Sequence, residues 1–388
     1  MRILHVTPHL PPDQAANALL PCQLGLWAAD AGAEVAYVAH PPRAGKSTSL
    51  PGPVSWVPRR AAGFVGRTLR VGAVTGALRV WRALGPRIEA ADVVHVHSNG
   101  LLAELAVLLA RRRRKPVVLT LYGTEIWHYR RKRGIDLFTR AYHAASFVTF
   151  YSERLMSRAH ELGLSRRNAR TVYPPVAPHF ARHDERAQAE TRDALGIFNR
   201  HLLVNVKRLH PLAGQRYLIE AMNEIIRFHP DTRLVICGTG PLLKELQGVA
   251  RSAGVERHVE FKGLVDNTLV ARYCAAADLF VLPSLLEALP TVAVEALASG
   301  TPVVSTDNPG GLELRDVFGP DVAIVPREQP LALAGAITHF LEHKRRTLSG
   351  THDAIAREFS REAVAAHYRE IYESCLSSNA SVTTSAKR

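Results

Sequence analysis

The sequence is poor in cysteine and contains no long apolar run. Its four cysteines are scattered without metal-ligand spacing, so we expect reduced thiols in a cytoplasmic protein. They are Cys22, Cys237, Cys274 and Cys375. No apolar stretch is long enough to predict a transmembrane helix. The opening residues MRILHVTP lack a small-residue cleavage site and therefore predict a strand rather than a signal peptide.

Acidic residues are scarce in the first half of the chain. Residues 1–180 hold 25 Lys and Arg against 10 Asp and Glu, whereas the remaining residues hold 24 against 25. The net charge of +14 therefore comes from the N-terminal half. A basic half joined to a neutral half predicts that the two meet different partners. The length of 388 residues fits two α/β domains of ordinary size.

Residues 278–313 of the neutral half alternate between strand and helix patterns. We predict two buried strands, a helix and a glycine-rich loop. They cover Asp278–Pro283, Thr301–Ser305, Thr291–Ala298 and Asp307–Gly311 respectively. The start of the helix would offer backbone N–H groups to an anion such as a diphosphate. An acid on the helix, Glu295, would reach ribose hydroxyls, and Glu287 in the preceding loop would face whatever the diphosphate carries.

The spacing Glu287, seven residues, Glu295, then Gly300–Val304 (GTPVV) resembles the signature of glycosyltransferase family 4. Members are retaining enzymes with the α/β GT-B fold, in which two Rossmann-like domains face each other across a cleft. The resemblance implies that Glu287 lies beside the donor sugar and phosphate, and that Glu295 binds the nucleotide ribose. It also implies donor contacts from Leu289, Pro290 and Thr291. The alternative is a surface acid and a capping acid on an ordinary α/β unit.

The same resemblance divides the chain. It implies an acceptor domain over residues 1–185, a donor domain over 186–365, and a helix that crosses back to the first domain, with a frayed tail, over 366–388. We expect the hinge in the polar segment His179–Arg192. Amphipathic patterns predict helices over Leu331–His343 and Arg361–Ser374, and the polar residues from Ser377 onward predict fraying.

Lys207 and Arg208 follow the strand predicted over His201–Val206 and are candidate cations for a diphosphate. The family has an Arg and a downstream Lys that together grip the donor diphosphate. Arg208 matches the Arg, but Ala213 stands in the Lys place. Because a departing diphosphate normally meets two cations, three possibilities stay open. Lys207 or another residue substitutes, the subfamily works with one cation, or the protein is catalytically weak.

Two further loops of the predicted donor domain match the family. The turn Gly238-Thr239-Gly240-Pro241 corresponds to its Gly-x-Gly-Pro element. Two glycines let the backbone approach a ligand closely, so we predict donor contacts at Gly238 and Gly240. After the strand Val259–Gly263 the family meets the base with backbone atoms, which implies a contact at Leu264.

Polar residues also follow strands in the N-terminal half. The loop after Val117–Leu121 holds Tyr122 where the family usually has a His near the reacting carbon, and Glu125 in the family's acidic place. Tyr keeps a hydroxyl but does not carry protons readily near neutral pH. We therefore predict that Tyr122 positions the substrate and is not a base. His97, at the end of another strand, is a second polar candidate, although a lone strand-end His is more often structural.

The loop after the first strand departs from the family. Its members often carry paired glycines there, whereas this chain has Gln14-Ala15-Ala16-Asn17. Asn17 remains an acceptor-side candidate together with His97 and Glu125.

Arginines alternate with apolar residues between Pro51 and Pro86. They are Arg67, Arg70, Arg79 and Arg82, interleaved with Val71, Val74, Leu78 and Trp81. A basic amphipathic helix lies either on an anionic membrane or on the sheet with its arginines solvated, and we favour the second. The runs Arg111–Lys115 and Arg130–Arg133 suggest a patch for phosphate-bearing acceptors, anionic lipid or polyanionic glycan. Solvated arginines are the default, and nucleic acid is not expected because no recognition motif accompanies the charge.

The resemblance implies a retaining hexosyltransferase of polysaccharide biosynthesis. It would move a sugar from a UDP- or GDP-linked donor to a hydroxyl of a glycan, lipid-linked or small-molecule acceptor, with Glu287, Arg208 and Tyr122 at the reaction. The sequence has no Asp-x-Asp metal motif. Charge stabilisation would thus come from Arg208, helix termini and loop amides, without metal or cofactor. The departing phosphate oxygen would take the acceptor proton, as proposed for similar enzymes.

Three other functions stay open at this point. A nucleotide-sugar-binding protein with weak or lost turnover would explain Ala213 and Tyr122. A basic interaction module would explain the N-terminal charge. An inverting enzyme on the same fold is disfavoured by the glutamate pair. We expect a cytoplasmic protein, with peripheral membrane contact through the basic N-terminal domain left open.

Overall fold

The computed structural model describes residues 1–13, 16–42, 50–58, 71–131 and 134–385. They form two compact units, one of Met1–Pro174 together with the chain from Val364 onward, and one of Pro175–Ala363. The first change of unit therefore lies between two consecutive prolines, ahead of the polar segment in which the sequence predicted the hinge. Each unit is built around one parallel sheet.

The N-terminal unit has a seven-stranded sheet in the order β3-β2-β1-β4-β5-β6-β7. Its strands are β1 (Arg2–Thr7), β2 (Glu34–Ala39), β3 (Val54–Trp56), β4 (Val93–His97), β5 (Val117–Leu121), β6 (Phe147–Phe150) and β7 (Ala169–Thr171). The helices are α1 (Ala16–Asp30), α2 (Val71–Ala90), α3 (Leu101–Arg112), α4 (Thr124–Trp127), α5 (Leu137–Ala144) and α6 (Glu153–Glu161). The central strands β4 and β5 are buried along their whole length, as expected for a sheet covered on both faces.

The C-terminal unit has a six-stranded sheet in the order β10-β9-β8-β11-β12-β13. Its strands are β8 (His201–Val206), β9 (Thr232–Cys237), β10 (Val259–Gly263), β11 (Leu279–Leu282), β12 (Val303–Thr306) and β13 (Val322–Val325). The helices are α7 (Glu185–Ala194), α8 (Gln215–Phe228), α9 (Leu243–Ser252), α10 (Asn267–Ala276), α11 (Thr291–Ala298), α12 (Pro309–Phe318), α13 (Pro330–Glu342) and α14 (Ser349–Ala354). The order reverses direction between β8 and β11, which is the topological switch point where such sheets hold ligands.

The last helix, α15 (Arg361–Ser385), packs mostly within the N-terminal unit. Its buried residues recur every three or four positions, as Val364, Tyr368, Ile371, Tyr372 and Cys375. They form a cluster with Ile3, Val93 and Val118 of the sheet. The sequence predicted fraying from Ser377, but the structure continues this helix to Ser385 because α15 is already nucleated by its buried turns.

The glycine-rich loop predicted over Asp307–Gly311 is instead the start of helix α12. Asn308 caps this helix, since its side-chain oxygen accepts a hydrogen bond of 3.1 Å from the Gly311 N–H. Pro309 occupies the first helical position, where its missing N–H costs nothing. The Asn-Pro start signal outweighs the two glycines that follow it.

The predicted basic helix lies partly outside the described residues, because Arg67 and Arg70 are not among them. Helix α2 carries the rest of the pattern, with Val80, Leu84 and Ile88 buried. No helix in the described part of the chain is both long and apolar enough to cross a membrane.

Candidate active site

An ion pair joins two loops at the carboxyl edge of the C-terminal sheet. Lys207 directly follows β8, and Glu287 lies in the loop after the neighbouring strand β11. Lys207 Nζ lies 2.6 Å from Glu287 Oε1, and the two side chains are 29% and 12% exposed. Charge-assisted contacts of this length are among the stronger hydrogen bonds in proteins. The structure thus brings together a predicted catalytic acid and a predicted donor-binding cation.

The backbone of Glu287 is held by the first turn of α12. The Gly310 N–H donates a hydrogen bond of 3.0 Å to the Glu287 carbonyl. A Cβ at position 310 would lie 2.8 Å from the Glu287 Cβ and 2.9 Å from the Pro290 Cδ. Real Cβ atoms do not approach other atoms this closely, so the loop between Glu287 and Pro290 rests against α12 only because residue 310 is glycine.

Glycines also bring the loops after β8 and β9 together. A Cβ on Gly238 would lie 2.1 Å from the Lys207 carbonyl oxygen, and one on Gly240 would lie 2.1 Å from that of Leu209. Gly238 adopts a positive φ of 142°. These glycines therefore allow the two loops to pack, which is a reason the sequence analysis did not give. Their contact with a donor stays a prediction.

Glu295 lies one turn inside helix α11. Burial raises the pKa of Glu295 to about 7. Its carboxylate is close enough to the Cys274 thiol to help raise that group's pKa, after burial. Among the described residues it has no hydrogen-bond or ion-pair partner. The first N–H groups of α11, beginning at Thr291, precede the intrahelical ladder and have no acceptor inside the helix.

In the N-terminal unit, a chain of hydrogen bonds ends at Tyr122. The Tyr122 hydroxyl lies 2.7 Å from His97 Nδ1, and His97 Nε2 lies 3.0 Å from His5 Nδ1. Burial raises the pKa of Tyr122 well above its usual value and lowers the pKa of His97 well below. Neutral forms are therefore favoured, and a neutral imidazole beside a neutral hydroxyl fixes the direction of that hydroxyl.

Glu125 makes hydrogen bonds within its own loop and to the residue that follows β4. Its carboxylate accepts hydrogen bonds from the Ser98 hydroxyl at 2.6 Å and from the backbone N–H groups of Gly123 and Tyr122 at 2.8 and 3.3 Å. The side chain is 4% exposed. Both carboxylate oxygens are therefore occupied, and Glu125 shapes the turns after β4 and β5. The sequence predicts an acceptor contact at Glu125, whereas this geometry supports a structural role.

The sequence suggested that His97 is an isolated histidine, but two other histidines lie next to it. His5, His95 and His97 are fully buried, with ring nitrogens within 4.8 Å of one another, a spacing that would suit a metal ion. However, His95 has Tyr372 and Thr120 hydroxyl oxygens at 2.7 Å from its two nitrogens. His97 is bonded at both nitrogens as well. The trio therefore forms a hydrogen-bonded network between the sheet and α15.

Asn17 lies in the first turn of helix α1, whereas the sequence analysis placed it in the loop after β1. Its backbone carbonyl accepts a hydrogen bond from the Thr7 hydroxyl. Its side-chain oxygen is buried and has no partner among the described residues. A buried amide oxygen without a partner normally finds a donor in water or a ligand, which keeps Asn17 as an acceptor-side candidate.

Comparisons with known proteins match both halves of the chain. Residues 22–180 match the family model described as Glycosyltransferase Family 4, and residues 187–356 match that described as Glycosyl transferases group 1. The putative teichuronic acid biosynthesis glycosyltransferase TuaC of Bacillus subtilis is 30% identical over 305 residues, which are 76% of this chain and 70% of the relative. A GDP-mannose-dependent alpha-(1-6)-phosphatidylinositol monomannoside mannosyltransferase of Mycolicibacterium smegmatis is 32% identical over 303 residues, which are 74% and 78% of the two chains.

The chain belongs to glycosyltransferase family 4. It is a glycosyltransferase of hexosyltransferase type that uses a nucleotide sugar. Solved structures confirm the predicted GT-B fold with two Rossmann-like domains. Sucrose-phosphate synthase from Thermosynechococcus elongatus superposes with a TM-score of 0.75 at 19% identity, covering 97% of this chain and 99% of that one. HepE from Anabaena, solved with UDP, superposes with a TM-score of 0.75 at 18% identity, covering 96% and 100%.

The other donor-side residues of this family 4 glycosyltransferase differ in exposure. Arg208 is exposed and makes no ion pair with any described residue, so its guanidinium is available. Leu264 is 83% exposed. Leu289 and Pro290 are buried, so any donor contact there would come from their backbone. Ala213, in the place of the family's Lys, is buried.

Sequence reasoning missed several residues that organise this family 4 site. They are Gln215, Asn308, Gly310, His5 and His95. Gln215 Nε2 donates to the Arg208 carbonyl at 3.3 Å and so fixes the cationic loop from the start of α8. The histidines had a usable signal, since parallel pairing of β1 with β4 places His5 directly beside His95. The usual Rossmann strand order predicts that pairing.

Proposed function

We propose that the chain transfers a hexose from a UDP- or GDP-linked sugar to a hydroxyl, with retention of configuration and without a metal ion. The observation that carries this proposal is the contact between Lys207 and Glu287 at 2.6 Å. It sets a cation beside the acid that the family resemblance puts at the donor sugar. Arg208, next along the chain, is exposed and available for the same diphosphate.

Lys207 supplies the second positive charge in this proposal. The family's usual Lys place holds Ala213, which is buried and cannot contribute charge. Lys207 Nζ is held at the carboxyl edge of the sheet by Glu287, and the loop that carries Glu287 leads into the first amides of α11. A diphosphate entering there meets two cations and a helix N-terminus, which together stabilise the charge that develops on the leaving group. No metal ion is required for that stabilisation.

Proton transfer is assigned to the departing phosphate oxygen. Tyr122 is hydrogen-bonded to the neutral His97, and its raised pKa keeps it protonated near neutral pH. It therefore orients a substrate group and does not remove a proton. Glu125 accepts hydrogen bonds on both carboxylate oxygens, from Ser98 and two backbone N–H groups, so it is assigned to the structure of its own loop.

The acceptor class is proposed from exposed residues of helix α2. Leu78 and Trp81 are 45% and 50% exposed, and Arg79 and Arg82 beside them are also exposed. Apolar side chains flanked by arginines suit an anionic membrane surface, which favours the option that the sequence analysis ranked second. The relative from Mycolicibacterium smegmatis is named as a phosphatidylinositol monomannoside mannosyltransferase. A lipid-linked or otherwise anionic acceptor fits these observations.

The test of this acceptor class is co-sedimentation of the protein with vesicles that contain phosphatidylglycerol. Binding to these vesicles should be lost in Trp81→Ala.

The experiment for the reaction is release of nucleoside diphosphate from UDP- and GDP-sugars by the full chain in EDTA. Slow hydrolysis that continues in the chelator supports metal-free transfer, and the anomeric configuration of a trapped product tests retention. A second candidate function is nucleotide-sugar binding without turnover, which the buried Ala213 favours. Binding of a sugar nucleotide with no release of diphosphate would establish that alternative instead.

A further inference from the structure

A cleft of about 320 Å³ opens in the N-terminal unit, at the end of the sheet away from Tyr122. Ser146 and Phe147, where β6 begins, lie on one wall, together with Asn168, which precedes β7. Tyr122 follows the C-terminal end of β5. In a parallel sheet, all strands begin on one side of the sheet and end on the opposite side. The cleft is therefore separate from the candidate active site.

Three groups that carry or can carry positive charge line this cleft: Arg111 near the end of α3, His143 in the last turn of α5, and Arg166. No Asp or Glu is among the described residues that line it. The Arg111 side chain makes no hydrogen bond or ion pair with any described residue. Arg166 donates one hydrogen bond to the Tyr142 carbonyl, which fixes its guanidinium while leaving other N–H groups free. Two guanidiniums without a carboxylate between them favour a bound anion.

Neutral hydrogen-bonding groups complete the lining. The Ser146 hydroxyl already accepts a bond of 3.0 Å from the Val117 N–H, so its proton is free to point elsewhere. Ser374 comes from α15, and the Asn168 amide donates a hydrogen bond of 3.3 Å to the Ser146 carbonyl at the start of β6. Burial lowers the pKa of Arg166 and the nearby Arg111 lowers it further, a like-charge repulsion that an anion would relieve.

We propose that this cleft binds a phosphate monoester, either of a soluble sugar or polyol phosphate or of a lipid headgroup. Arginine guanidiniums match phosphate oxygens with paired N–H donors, and a phosphate dianion balances the two charges of Arg111 and Arg166. The volume of about 320 Å³ accommodates the phosphate together with a small alcohol portion. This inference does not depend on the proposed transfer reaction.

The first arm of the test is a titration of the full chain with glycerol 3-phosphate, in which calorimetry measures the affinity. Arg111→Ala should weaken binding roughly tenfold or more, because it removes charged hydrogen bonds without disturbing a structural contact. Arg112→Ala, on the same helix but outside the cleft, is the matched control and should bind as the wild type does. Arg208→Ala should also leave binding unchanged, since that residue belongs to the candidate donor site. Loss of binding in Arg208→Ala with retention in Arg111→Ala would overturn the proposal.

The second arm uses vesicles of phosphatidylcholine with and without phosphatidic acid, with the same variants. Binding of glycerol 3-phosphate assigns the cleft to soluble phosphate esters. Arg111-dependent binding of phosphatidic acid vesicles alone assigns it to a lipid headgroup. If neither probe binds in an Arg111-dependent way, the proposal fails. Arg111→Lys, which keeps the charge but loses the paired donors, should bind with intermediate affinity and confirms that the fold is intact.

Discussion

Lys207 and Glu287 are 80 positions apart in the chain, yet their charged atoms lie 2.6 Å from each other at the carboxyl edge of the C-terminal sheet. The pair forms because β8 and β11 are neighbours in the sheet, so the loops that follow them meet. The pair holds a cation beside Glu287, whereas Ala213, at the family's usual lysine position, is buried and uncharged.

Lys207→Ala should weaken donor binding. Loss of a charged hydrogen-bond partner costs about 1.5–3 kcal/mol, so the dissociation constant for the sugar nucleotide should rise roughly tenfold to a hundredfold. Calorimetry with the preferred donor checks this. Arg227→Ala, which removes an exposed cation paired with Glu224 on α8, is the control and should leave the affinity unchanged. An unaltered dissociation constant in Lys207→Ala would assign the diphosphate to Arg208 alone.

Glu295 should make stability depend on pH. Its pKa is raised in the folded protein to about 7, from an ordinary value of 4.5. The unfolded chain therefore loses this proton first, and folding stability falls as pH rises from about 4.5 to about 7, by about 3 kcal/mol in total. Glu295→Gln removes this loss. In urea unfolding, the free energy of unfolding of the variant relative to that of the wild type should therefore increase as pH rises from 5 to 8. A constant difference in that free energy across the range would mean that the Glu295 carboxylate ionises normally.

Tyr122→Phe should lower turnover and leave donor affinity nearly unchanged. The phenol oxygen is fixed by His97 at 2.7 Å, and removal of one orienting hydrogen bond should reduce kcat roughly five- to tenfold. His97→Gln should have an effect in the same direction. Tyr129→Phe, which loses only a bond to Thr139, is the control. Equal loss of kcat in the control would point to a general effect on the N-terminal unit.

Gly310→Ala should destabilise the C-terminal unit. The added methyl group would lie 2.8 Å from the Glu287 Cβ, so the loop must move, at a cost of about 1–3 kcal/mol. Gly335→Ala is the matched control, since that glycine lies in helix α13 with open space around it. It should instead stabilise the fold by about 0.5–1 kcal/mol. Thermal unfolding of both variants, with donor affinity measured alongside, decides whether the packing of Glu287 against α12 matters.

Several elements of the fold follow from local sequence patterns. The strands Val117–Leu121 and His201–Val206 and the helix Thr291–Ala298 match the predicted bounds, because each apolar run is bounded by polar or turn-forming residues. The start of α12 did not match, because Asn308-Pro309 is a helix start signal that the two following glycines obscured.

Fewer features of the candidate site than of the fold could be predicted from the sequence. The acids Glu287 and Glu295 were found by their spacing, but the contact with Lys207 depends on which strands are neighbours and how far a lysine reaches. The hydrogen bond from Ser98 to Glu125 likewise depends on two loops meeting in space. The raised pKa of Glu295 follows from burial, which no residue pattern around position 295 reveals.

The most direct test of the account is thermal unfolding of the wild type and Glu295→Ala in the presence of UDP- and GDP-sugars. A ligand that binds only the folded protein at about a hundred times its dissociation constant should raise the wild-type melting temperature by about 5 °C. The account predicts that Glu295→Ala folds but loses this rise with every sugar nucleotide that stabilises the wild type. A variant that shifts as much as the wild type would contradict the assignment of the donor ribose to Glu295.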